Sequence, residues 1–172
     1  MMPSFRAALA APLLLLAALP AHGQPLPSAH YLPLSVAMEA AQAALAKCTA
    51  DGFHISVAVL DAAGTELVAY HDERSTIHSA YSARQKAYTV LSYAFSDDGK
   101  YQTTTDLVKR FAGTEALVRV LAIPGMLPSP GGALIRAGKE IVGAIGVGGS
   151  PGGTPDQLCA NTGLEKIKPH LQ

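Results

Sequence analysis

Residues Gly148-Gly149-Ser150-Pro151-Gly152 form a G-x-S-x-G sequence between a strand-like and a helix-like stretch. Hydrolases hold a nucleophilic serine in that setting. The residue after such a serine donates its backbone N–H to the oxyanion, and Pro151 has none. The motif therefore reads as a glycine-rich corner that lets backbone approach a ligand. The neighbouring run Gly143 to Gly148 is not a dinucleotide fingerprint, because position 151 is Pro, and no Gly-Lys-Ser/Thr follows it. Nucleotide binding thus has little support.

His71, Glu73 and His78 lie close together at what reads as a helix entrance. Imidazole and carboxylate suit several transition metals, so His71 and His78 are candidate ligands for a metal or a haem iron. The chain has no H-E-x-x-H and no C-x-x-C-H, which leaves out a zincin and a covalently attached c-type haem. The plainer reading of His78 is a solvated histidine on a polar helix face with Gln85 and Thr89. Arg84 falls by helical angle inside an apolar arc, between Ile77, Tyr88 and Leu91, and Lys86 sits at the edge of that arc. A guanidinium there must snorkel, pair with an acid or meet an anionic ligand. Two cations beside small apolar residues suit a ligand with carboxylates, such as haem propionates or an organic acid. A structural salt bridge accounts for them equally well.

The elements that must position these side chains follow from periodicity. Ser35 can cap a helix running to about Ala50, with Leu34, Met38, Ala41, Leu45 and Cys48 on one face. His54 to Leu60 and Thr65 to Tyr70 read as strands joined by the turn Asp61-Ala62-Ala63-Gly64. Ser75 or Thr76 can start a helix to about Ala94, and Thr103 or Thr104 a short one to about Phe111. Gly113 to Leu121 adds another helical turn. Ile123 to Gly132, with three prolines and three glycines, is loop. Ala133–Ala137 and Glu140–Val147 make a second hairpin around Gly138-Lys139. Thr154-Pro155-Asp156-Gln157 opens a last helix to about Lys168. Paired hairpins, rather than alternating strand–helix units, predict an α/β fold with an antiparallel sheet flanked by helices.

Before these elements comes a short n-region with Arg6, an apolar run from Ala7 to Leu19, and Ala21-His22-Gly23. That order reads as a signal peptide over 1–23, cleaved near Gly23–Gln24, with a flexible leader over 24–33 and one domain over 34–172. It predicts a periplasmic or secreted protein. No later segment has the ~20 apolar residues of a transmembrane helix. Without Arg6 the chain keeps 12 Lys and Arg against 13 Asp and Glu. So neutral a surface argues against nucleic-acid or anionic-membrane binding. Cys48 and Cys159 are the two cysteines. An oxidising compartment favours a disulfide between them if the first and last helices touch; two buried thiols are the alternative.

Three stretches carry a family resemblance. Val57-Ala58-Val59-Leu60-Asp61-Ala62-Ala63-Gly64, Lys86-Ala87-Tyr88-Thr89, and Gly131-Gly132 … Gly138 … Ile141 to Gly149 … Asp156 occur in that order. From about Leu34 to Leu171 the chain resembles the HbpS/GlcG family of haem-binding or haem-degrading domains. The resemblance implies a profilin-like α/β/α sandwich, a homo-oligomer, a small-molecule ligand and, in some members, extracytoplasmic binding of non-covalent haem. It also implies a ligand role for a threonine before the short third helix, best matched by Thr104, with Thr103 and Thr105 beside it. Cys48 and Cys159 look like a pair found in exported members. Many members read Arg-x-Asp-Gly-Ala after the first hairpin; here the sequence is His71-Asp72-Glu73-Arg74-Ser75, which offers His71 as a ligand instead. The expected function is exported haem binding, with His71, His78 or Thr104 near the metal and Arg84 or Lys86 near the propionates. The alternative is an enzyme on a small organic acid or aromatic catabolite, with Lys86, Glu73 and the Gly148–Gly153 loop around its pocket.

Overall fold

The computed structural model describes residues 28–95 and 99–172. The expected signal segment and the start of the leader lie outside the described residues. The order is α1 (Leu34–Ala50), β1 (Ser56–Asp61), β2 (Glu66–His71), α2 (Ser79–Ser92), α3 (Thr104–Phe111), α4 (Glu115–Leu121), β3 (Gly132–Ala137), β4 (Glu140–Gly148) and α5 (Thr154–Ile167). The four strands form one antiparallel sheet in the order β2-β1-β4-β3. Helices α1 and α5 cover one face and α2 the other, so the architecture is an α/β/α sandwich.

Strand alternation assigns side chains to the two faces. Val57, Val59, Ile145 and Val147 point into the core under α1 and α5. Leu60, Leu134 and Ala144 pack with Ala87, Val90 and Leu91 of α2 and with Ala94 just after it. Helix α2 lies close because glycines line its seat. A methyl group at Gly146 would overlap the carbonyl oxygen of Ala83, and one at Gly132 the carbonyl oxygen of Lys86. On the opposite face a Cβ at Gly163 would stand 2.6 Å from the carbonyl oxygen of Ala40. That contact lets α5 approach α1, and a disulfide joins Cys48 to Cys159 with 5.7 Å between their Cα atoms.

Several local expectations shift. The buried face of α1 is Val36, Ala37, Ala40, Ala41, Ala44 and Cys48, while Leu34 and Met38 are exposed. Packing against α5 selects the small residues, because close helix approach needs alanines more than it needs leucines. Helix α2 starts at Ser79, not at Ser75 or Thr76, because Ser75 and Thr76 lie in the turn before it. Thr103 caps α3 with a reciprocal box to Asp106. Gly153, in the left-handed region at φ 78°, precedes α5 in place of a Thr154 cap. At the end of the leader, Leu32 is buried in the core and His30 hydrogen-bonds Glu140.

Two stability measurements check this packing. Removing the disulfide in Cys48→Ala/Cys159→Ala should cost about 2–4 kcal/mol in urea unfolding. Gly146→Ala should cost about 3 kcal/mol or more by overpacking; a variant as stable as wild type would contradict the close seat of α2.

Candidate functional site

The first turns of α2 have two usable flanks. On one flank, Thr76, His78, Ser82 and Lys86 face the 149–153 corner, Asp156 of α5, and Leu127 and Ser129 of the loop before β3. Together they enclose a cleft of about 530 Å³. Its floor is an ion pair. Lys86 Nζ donates to Asp156 Oδ2 at 2.7 Å, with the side chains only 5% and 1% exposed. The other oxygen of Asp156 accepts the Ser150 backbone N–H at 3.0 Å, and Ser150 Oγ accepts the Asp156 N–H at 3.1 Å. Taking two charges out of water is costly, and saturating the carboxylate with donors offsets much of that cost. Gly131 makes room: a Cβ there would stand 2.9 Å from the Asp156 Cβ and 3.0 Å from the Lys86 Cδ. An ammonium has three protons, and only one of Lys86 meets an acceptor among the described residues.

The second flank faces β2. Ser56, Ala58 and Leu60 of β1 pair with His71, Ala69 and Glu66 of β2, so these six residues share the α2 side of the sheet. Arg84 Nε lies 3.7 Å from Glu66 Oε2, with both side chains well exposed, which places this flank of α2 beside β2. Ile77, in the turn before α2, is fully exposed, and Tyr81 is 62% exposed. His71 Nδ1 lies 2.7 Å from Ser56 Oγ, which lies 2.7 Å from Ser79 Oγ at the start of α2. Both serines are fully buried, while His71 itself is exposed. Nearby, the hydrogen bond from His54 and then the Arg74 backbone N–H hold Asp72 below the ordinary carboxylate range.

The structure therefore divides the sequence candidates. Lys86 and His78 meet the 149–153 corner in the cleft. His71 and Arg84 stand on the other flank, so His71 and His78 do not face one pocket. Glu73 is exposed in the turn after β2 and does not line the cleft. Thr104 is buried and its Oγ1 accepts the Gly132 N–H at 2.8 Å, so it ties α3 to β3. Thr105 Oγ1 donates to Gln157. Arg84 is not inside the apolar arc; the buried cation is Lys86. The arc centres on Ala83, Ala87 and Val90, because Ile77 precedes the helix and lies in solvent. Among the described residues no three His, Cys, Asp or Glu side chains come close enough to hold a metal ion. Sequence reasoning missed Asp156 as the partner of Lys86, though a lysine on a buried helix face demands an acid somewhere.

Breaking the floor pair tests its energetics. Asp156→Ala leaves a buried ammonium unpaired and should cost about 3–5 kcal/mol. Lys86→Met/Asp156→Leu should recover most of that loss in urea unfolding. A mild effect of the single change would mean that water reaches Lys86.

The family model described as haem degrading protein, HbpS-like, matches residues 32–165. A crystal structure of HbpS is similar at 35% identity and TM-score 0.72, covering 86% of this chain and 97% of that one. A double mutant of Streptomyces reticuli HbpS is also 35% identical, with TM-score 0.69, covering 87% and 97%. The PduOC:heme complex shares the fold at 21% identity and TM-score 0.66, covering 80% and 95%. No curated protein matches the chain.

Proposed function

Since the chain belongs to the HbpS-like family of haem-degrading proteins, we propose that it is an exported protein that binds haem non-covalently on the β2 flank of α2. The observation that carries this reading is the donor set on that flank. His71 offers an imidazole whose Nε2 has no partner among the described residues. Arg84 offers a guanidinium held only at 3.7 Å by its acid. On β2, Ala69 lies between His71 and Glu66, the partner of Arg84, and Ile77 and Tyr81 stand in solvent at the start of α2. This set suits a flat apolar group that carries its own metal and its own carboxylates. Haem, when bound, supplies a redox-active iron. The chain's own part is to ligate that iron through His71, pair a propionate with Arg84 and cover one face with apolar side chains. HbpS at 35% identity supports the reading, as does a relative of the same fold solved with heme. The hydrophobic N-terminal run supports export, and the bare Ile77 and Tyr81 suit burial against a second copy in a homo-oligomer.

Adding hemin to the purified protein should give a saturable Soret shift. His71→Ala should abolish it, while His78→Ala should leave it intact. Arg84→Ala should weaken binding about fivefold, the equivalent of ~1 kcal/mol for an exposed ion pair. No saturable shift in the wild type would end the haem reading.

The cleft favours a second reading, a site for a small organic acid. Its support is Lys86, a buried cation with uncommitted protons at the floor of a polar-lined cavity. Small carboxylic acids that raise the melting temperature of wild type but not of Ser150→Ala would support it. Ser150 touches the floor pair without belonging to it.

A further inference from the structure

Lys86 is the only buried lysine among the described residues; the others stand at least partly in solvent. It lines the cleft, whose walls carry the hydroxyls of Thr76, Ser82, Ser129 and Ser150 and the His78 imidazole. Its stem passes Gly131, where a Cβ would stand 3.0 Å from Cδ, and Nζ ends 2.7 Å from Asp156 Oδ2. Asp156 is fixed in turn. Its Oδ1 accepts the Ser150 N–H at 3.0 Å, and Ser150 Oγ accepts the Asp156 N–H at 3.1 Å. Stability alone does not call for such a pair, since two apolar side chains of similar volume usually serve as well. A primary amine beside a held carboxylate, at the floor of a polar-walled cleft, is equipment for imine chemistry.

We propose that Lys86 forms an imine with a small polar carbonyl compound, an aldehyde or a 2-oxo acid, and that Asp156 carries the proton. A ligand entering the cleft displaces water, which disfavours two charges relative to an amine and a carboxylic acid. The proton passes from Nζ to Asp156 Oδ2 along the hydrogen bond that already joins them. The freed lone pair attacks the carbonyl carbon: a C–N bond forms and the π pair of C=O moves to oxygen. Asp156 returns its proton to that oxygen, takes a second one from nitrogen, and gives it to the hydroxyl, which leaves as water. The product is an iminium that keeps one N–H and one positive charge, facing an ionised Asp156. No oxidant or reductant enters, and the buried pair has the same charges after the reaction as before it. The ion pair that holds the ammonium in the resting protein therefore also holds the product. This chemistry rests on the reading of the cleft as a small-molecule site and is independent of the haem flank.

Reductive trapping tests it. The purified protein is incubated with pyruvate or with glyceraldehyde in the presence of sodium cyanoborohydride, digested, and mapped by mass spectrometry. Lys86 should carry most of the adduct although it is the least exposed lysine among the described residues. Pyruvate labelling alone assigns the site to 2-oxo acids, and glyceraldehyde labelling alone to aldehydes. Adducts confined to exposed lysines overturn the proposal without any variant having to fold. Lactate has the carboxylate of pyruvate but no carbonyl. If lactate and pyruvate both raise the melting temperature and Lys86 stays unlabelled, the imine is overturned while the acid site stands. If neither ligand raises it and Lys86 stays unlabelled, both fall. In folded Asp156→Asn the rate of Lys86 labelling should drop about a hundredfold, the lower end of what a positioned proton carrier contributes. A wild-type rate in that variant overturns the role of Asp156.

Discussion

The contact between α2 and a glycine-lined sheet governs this molecule. Gly146 and Gly132 remove the side chains that would hold a helix at ordinary distance, and the backbone of α2 settles onto β4 and β3. Everything chemically interesting then follows from how close that helix sits. Lys86, projecting from a helix so near the sheet, is almost wholly buried and meets an acid from α5. Ser79, pressed over β1, must hydrogen-bond Ser56. The polar groups on either flank are consequences of one steric allowance.

That allowance also explains the division of labour along α2. Its sheet-facing stripe is made of small residues, Ala83 and Ala87 above all, which contribute packing and no chemistry. The side chains on either side of the stripe have room to function. One set faces a walled cleft built from loop and helix α5, and the other faces the open edge strand β2. A cleft suits a small ligand held by convergent polar groups. An open, partly apolar flank suits a large flat ligand or another protein surface.

Much of the architecture was legible in the sequence. Both hairpins, the last helix and the pairing of Cys48 with Cys159 follow from alternation, turn residues and cysteine number. The third helix was legible with its cap left between Thr103 and Thr104; the structure gives it to Thr103, through a local box with Asp106. The candidate site was half legible. Lys86 and the Gly148–Gly153 loop were named together, but with Glu73, which does not line the cleft, and Lys86 and Arg84 exchange their expected environments. A helical arc read from hydrophobicity counts Ile77 as core, whereas the helix begins two residues later and Ile77 is bare. Asp156 was hidden for a different reason. It lies 70 residues from Lys86, and no periodicity reports a contact between two helices across a sheet. Thr104, singled out by resemblance, serves as a strut under Gly132.

The disulfide has one more implication. It joins residues 111 positions apart and encloses every strand, the cleft and both flanks of α2 within a single covalent ring. A protease that cuts an exposed loop inside that ring, such as the stretch after α4, severs the backbone without releasing a fragment. The two pieces stay linked until a reductant opens the bond. A clipped molecule thus keeps all its parts at the same effective concentration as an intact one.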